Sequence, residues 1–84
     1  MRLSFHEDAW EDYLYWQKGD RRLLRRLNEL LRESLRTPYC GTGKPEPLRH
    51  ALSGCWSRRI TEEHRLVYRI DEDSLIVLQC RYHY

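Results

Sequence analysis

The sequence predicts an α+β domain: one short strand and two helices packed on a mainly antiparallel β-sheet. Three observations predict it. An apolar stripe of helical period runs through residues 20–36, apolar residues recur at every second position after Gly54, and the later apolar runs are joined by short links. With 84 residues, the chain is expected to form a single domain, 1–84, burying roughly 60% of its unfolded surface.

Leu3 and Phe5 alternate with Arg2 and Ser4, which predicts the first strand. Trp10, Tyr13 and Leu14 then fall at helical spacing, with Ala9 and Trp16 flanking the same broad face. Glu7, Asp8, Glu11 and Asp12 crowd the start of that helix, where the macrodipole favours negative charge. Ser4 and Glu7 match a capping box, but Ser4 belongs with the strand, leaving His6 or Glu7 as the boundary. Gly19-Asp20 breaks the pattern, and Asp20 suits the N-cap of a second helix. Leu23, Leu24, Leu27, Leu30, Leu31 and Leu35 give that helix its stripe, and arginines cover the rest.

Thr37-Pro38 stops the helix, and a loop rich in proline and glycine follows as far as Pro47. Ser53-Gly54 marks a turn. Residues 55–61, 65–70 and 75–82 read as three antiparallel strands. Trp56, Ile60, Leu66, Tyr68, Ile70, Ile76, Leu78 and Cys80 are expected to face the helices. Arg59, Arg65, Val67, Arg69, Val77, Gln79, Arg81 and His83 are expected on the opposite face, with a single bulge able to invert part of this assignment.

The net charge of +2 hides segregation. Residues 1–20 carry −3, residues 21–43 carry +4, residues 44–70 carry +3 and the last fourteen carry −2. A basic middle of this kind suits a polyanionic partner. Arginine outnumbers lysine 13 to 2, which favours bidentate contacts to phosphate or carboxylate. No apolar run is long enough to span a membrane, and the first residues lack a signal-peptide core, so a cytoplasmic protein is expected. Cys40, Cys55 and Cys80 are an odd set without C-x-x-C spacing and read as reduced thiols. His6, His50 and His64 lack ligand spacing and read as surface or turn histidines, so neither metal nor cofactor is expected. Gly41-Thr42-Gly43-Lys44 does not complete a phosphate loop, because Pro45 stands where the motif needs Ser or Thr.

Chemistry is expected where a sheet face offering Arg59, Arg65 and His83 meets Glu46. Pro45 and Pro47 flank Glu46 and stiffen its backbone before any ligand arrives. A carboxylate base, an imidazolium acid and fixed guanidinium groups form a set able to cleave RNA without a metal. RNA is the implied substrate because its 2′-hydroxyl supplies the nucleophile. Tyr82 and Tyr84 flank His83 and suit stacking on bases.

The blocks Gly43-Lys44-Pro45-Glu46-Pro47-Leu48, Leu52-Ser53-Gly54, Trp56 to Tyr68 and Cys80-Arg81-Tyr82-His83-Tyr84 closely resemble the YoeB-like toxins of the RelE/ParE superfamily. The likeness extends to Trp10 through Gln17. It implies a RelE-like fold and a ribosome-dependent mRNA endonuclease acting in the ribosomal aminoacyl (A) site. By the same resemblance Glu46 aligns with the general base, His83 with the general acid, and Arg59 and Arg65 with phosphate-binding arginines. Arg65 is thereby placed with the catalytic set. Lys44, Arg49, Arg59 and Tyr84 are placed as substrate-contacting residues. Arg49 stands where the sequence it resembles has lysine; charge is kept, but a guanidinium does not shuttle protons. The resemblance further implies a homodimer, a YefM-like antitoxin whose disordered segment folds on the toxin, and operator DNA bound only together with that antitoxin. Arg21, Arg22, Arg25 and Arg26 are expected to dock on ribosomal RNA. Two rival classes act by binding alone: a gyrase poison, and a DNA-bound corepressor.

Overall fold

The computed structural model describes residues 1–84. Strand β1 (Arg2–Phe5) leads into helix α1 (Glu7–Gln17) and helix α2 (Arg21–Arg36). Strands β2 (Glu46–Pro47), β3 (Trp56–Arg59), β4 (Arg65–Asp71) and β5 (Ser74–Gln79) follow, with a 3₁₀ turn at His50–Leu52. The sheet order is β1-β5-β4-β3-β2. All neighbours are antiparallel except β1, which runs parallel to β5. The expected α+β class holds, with one added strand: Glu46–Pro47, expected to lie in a loop, pairs with Ser57 and Trp56 at the sheet edge. An edge is where a proline can join a ladder, since one side of its backbone needs no partner.

Both helices start where the sequence placed them. His6 caps α1, its Nδ1 accepting from the Asp8 N–H at 3.2 Å. The Asp20 carboxylate accepts from the Arg22 and Leu23 N–H groups at the start of α2. Leu27, Leu30 and Leu31 of α2 are buried with Ala9 and Trp16 of α1 against Ile60, Leu66, Tyr68, Leu75, Val77 and Cys80. Trp10, on the outer side of α1, stays exposed and stacks on Tyr13.

The alternation expected in β5 is inverted over most of its length. Leu75 and Val77 fill the core, whereas Ile76 and Leu78 are only half-buried. The cause is a bulge. Val67 pairs with Gln79 but Tyr68 pairs with Val77, so Leu78 is the extra residue. Parity is restored beyond it, and Cys80 returns to the core as expected. Val67 lies on the outer face as expected, yet it is buried. The strand also ends at Gln79 rather than 82. The last residues cross the outer face instead, bringing Tyr84 to Ser57 and Glu46 on the far side of the sheet.

Candidate active site on the outer face of the sheet

Glu46 pairs with Ser57 in the β2–β3 ladder, and Arg59 lies two residues along β3 from Ser57. Arg59 is directly opposite Arg65 of β4. Alternation therefore puts Glu46, Ser57, Arg59 and Arg65 on one face, away from the helices. They line a cleft of about 70 Å³ together with Lys44, the residue at the mouth of the β2 loop. Two like charges directly opposite each other in a ladder repel, which makes the cleft a place for an anion.

The two arginines are held differently. Arg65 is nearly buried, and its Nη1 donates to the backbone carbonyls of Thr61, Glu62 and His64 in the β3–β4 turn. Its guanidinium is thus fixed by the main chain. Arg59 is half-exposed and meets Glu62 at 3.6 Å across the β3–β4 turn, while Glu63 makes no such pair with Arg65. Arg26 of α2 donates to the Arg59 carbonyl at 2.9 Å, buttressing β3 from below.

Glu46 is exposed, and its Oε1 accepts from the Tyr84 hydroxyl at 3.2 Å. The same hydroxyl lies 3.5 Å from Ser57 Oγ. Tyr84 and Glu46 also border a larger groove of about 690 Å³, lined by Pro47, Leu48, Arg49, His50 and Leu52. Arg49 faces this groove and not the arginine cleft. His83 lines neither. It is exposed, its ring packed on Tyr84 at 4.7 Å and its Nδ1 3.1 Å from the Tyr84 carbonyl. Six of the seven expected site residues thus line the two clefts that meet at Glu46. His83 joins them through Tyr84. No group of three His, Cys, Asp or Glu side chains converges as metal ligands would.

Sequence reasoning missed Arg58. Its side chain is wholly buried on the helix side of β3. Nε donates to the Tyr68 hydroxyl at 3.1 Å, Nη1 to Glu33 Oε2 at 3.2 Å and to the Thr42 carbonyl at 3.0 Å, and Nη2 to the carbonyls of Thr37 and Cys40. The Tyr68 hydroxyl in turn donates to the Pro38 carbonyl. One side chain thereby organises the 37–43 loop that leads to Lys44 and Glu46. Gly43, at φ 87°, completes the approach: its carbonyl accepts from the Arg59 N–H at 2.7 Å, and a Cβ there would stand 3.2 Å from Arg58 Cβ. The signal was available, because Arg58 sits between Trp56 and Ile60 on the inward parity.

Glu33 accepts from the Thr42 N–H at 3.0 Å as well as from Arg58. Burial pushes its carboxyl upward, but the Thr42 hydrogen bonds and the charges of Arg58 and Arg36 outweigh this and hold it below the ordinary value of 4.5. Burial, aided by Asp12, pushes the Cys80 thiol up to about 12. No helix is long and apolar enough to cross a membrane.

Residues 5–84 match the family of YoeB-like toxins of bacterial type II toxin–antitoxin systems. Toxin YoeB of Escherichia coli K12 is 60% identical over 84 residues, covering the whole of both chains. A YoeB/ParE toxin from Agrobacterium tumefaciens superposes with a TM-score of 0.97 at 49% identity over both full chains. The toxin in a heterotetrameric YoeB–YefM toxin–antitoxin complex from Staphylococcus aureus gives 0.90 at 42% identity, with 100% of this chain and 98% of that one covered. With a family match across all but the first residues and full-length relatives at these identities, the chain belongs to the YoeB-like toxins of bacterial type II toxin–antitoxin systems.

Proposed function

We propose that the protein is a ribosome-dependent endoribonuclease that cleaves mRNA in the ribosomal aminoacyl (A) site by acid–base transphosphorylation. The observation that carries this reading is the arginine pair. Arg59 and Arg65 stand opposite each other beside Glu46, a carboxylate held between two prolines. A phosphodiester seated between the guanidinium groups would relieve their repulsion and bring its ribose toward the carboxylate.

Glu46 takes the proton from the 2′-hydroxyl as the 2′-oxygen bonds to phosphorus. The bond to the 5′-oxygen breaks, and the His83 imidazolium gives that oxygen a proton. Arg59 and Arg65 neutralise the charge that develops on the phosphoryl oxygens. Since the Tyr84 hydroxyl occupies Glu46 Oε1, Oε2 is the oxygen left to act as base. Lys44 and Arg49 extend the cationic surface on either side of Glu46 for neighbouring phosphates.

A YefM-like antitoxin, a second toxin copy and, with the antitoxin, operator DNA complete the proposed partners in the cytoplasm. The S. aureus YoeB–YefM complex supports the first of these, and a S. aureus YoeB dimer, matched at 42% identity, supports the second. The deciding experiment supplies purified toxin with ribosomes programmed by a defined mRNA. Cleavage leaving a 2′,3′-cyclic phosphate upstream and a free 5′-hydroxyl downstream is the expected result. A 5′-phosphate would mean that water, not the ribose, attacks.

A further inference from the structure

We propose that His64 is a positioning residue for this cleavage: its unprotonated Nδ1 holds the chain reversal at Tyr82 and thereby sets where His83 and Tyr84 stand. The proposal rests on the nuclease reading, but it begins from a backbone anomaly. Tyr82 has φ 63°, in the left-handed region, which a bulky non-glycine residue adopts only when its surroundings enforce it.

The enforcing contacts come from three directions. The Tyr82 N–H donates to His64 Nδ1 at 2.7 Å, and the Tyr82 carbonyl accepts from the Arg65 N–H at 3.0 Å. Gln79 Nε2 donates to the carbonyls of Arg81 and Tyr82. The Arg81 guanidinium lies between the Tyr15 and Tyr82 rings, 3.4 and 4.5 Å from their centroids. Trp16 Nε1 fixes the preceding turn by donating to the Cys80 carbonyl at 2.7 Å.

His64 is itself held for the task. Its ring meets Trp16 edge-to-face at 4.8 Å, and its backbone N–H donates to Thr61 Oγ1 at 3.2 Å. A backbone N–H pointing at Nδ1 requires a lone pair there, so the ring carries its proton on Nε2 and is neutral. With Tyr82 anchored by His64 and Tyr84 anchored by Glu46, His83 is the single residue between two fixed neighbours. The two histidines thus work in opposite protonation states: His64 as an acceptor, His83 as the proposed acid.

The test compares His64→Asn, which keeps an acceptor oxygen near the Nδ1 position, with His64→Leu, which fills space and accepts nothing. Single-turnover cleavage at saturating ribosome and hydrogen exchange at the Tyr82 amide are both measured. The leucine variant is expected to cleave at least roughly tenfold more slowly and to exchange Tyr82 faster by a similar factor, with ribosome affinity little changed. The asparagine variant is expected to recover most of both. Cys80 offers a second route, since a synthetic pentapeptide carrying an ester between Arg81 and Tyr82 can be ligated there to residues 1–79. That change deletes the donor without touching His64, and the same loss of rate is expected. Wild-type rates in the ester protein, or an asparagine variant no better than the leucine one, would overturn the proposal. If the wild-type toxin cleaves nothing, the nuclease reading fails, and Tyr82 exchange still decides whether His64 holds the turn.

Discussion

Arg58 Nη1 meets Glu33 Oε2 at 3.2 Å, joining the middle of β3 to the last turn of α2 beneath the cleft. The pair holds no substrate, yet the loop carrying Lys44 and Glu46 hangs from it. Arg58→Leu strands the carbonyls of Thr37, Cys40 and Thr42 and is expected to destabilise the fold by about 3 kcal/mol or more. Denaturant unfolding with an unchanged slope measures it; a loss under about 1 kcal/mol would show that water replaces the guanidinium at no great cost.

Glu33 gives the same network a pH dependence. Its carboxyl titrates below the ordinary value of 4.5 in the folded chain, so the unfolded chain binds the proton more readily. The stability this confers is fully present above the unfolded value and is lost as pH falls through the lowered folded one. Glu33→Gln is therefore expected to flatten the fall in melting temperature with acidification through that window. An identical acid limb in the variant would assign the fall to other carboxylates.

Glu46→Gln and His83→Gln are expected to lower single-turnover cleavage by roughly 10²–10⁴-fold each, the usual scale for a general base or acid. Both side chains are exposed, so neither change should move the melting temperature much. Rates within threefold of wild type for both would remove their assigned roles.

Arg21, Arg22 and Arg25 have no carboxylate within ion-pairing distance, and Arg21 and Arg25 line a basic groove of about 510 Å³ on α2 with Arg32. Arg26, grouped with them in sequence, instead supports the Arg59 carbonyl and belongs in a separate variant. Replacing Arg21, Arg22 and Arg25 with glutamine is expected to weaken ribosome association and flatten its dependence on salt, while the rate in the docked complex stays nearly constant. Unaltered affinity with the same salt slope would leave these arginines as a solvated face.

Thiol labelling separates Cys40 from Cys80. Cys40 is exposed and is expected to react promptly in the native protein at pH 8, whereas Cys80, buried and titrating near 12, waits for unfolding. Labelling by timed alkylation and mass spectrometry reads this directly. Equal native rates at both positions would mean that the contact of Cys80 with Ala9 of α1 opens readily.

Much of this fold was legible because local rules and tertiary packing agree in the helices. Asp20 caps α2 and its leucine stripe is the core, as spacing demands. The sheet was harder to read. Alternation in β5 fails at Leu78 because a bulge is a decision of the β4–β5 ladder, invisible in one strand's own pattern. Glu46, Arg59 and Arg65 could be grouped from strand parity and proline rigidity. Arg58 was overlooked because arginine is read as a surface residue, although its parity pointed inward. His64 was passed over for want of ligand spacing, since its partner is a main-chain N–H eighteen residues away.

The parallel pairing of β1 with β5 joins the first strand made to the last. During synthesis, Arg2–Phe5 has no ladder partner until Ser74–Gln79 has emerged, whereas α1 and α2 can form from neighbouring residues alone. Closure of such distant segments is slow compared with helix formation. The nascent chain therefore carries its helices and basic surface well before the proposed catalytic face exists, and on the nuclease reading a chain stalled short of β5 is expected to remain inert toward the ribosome that makes it.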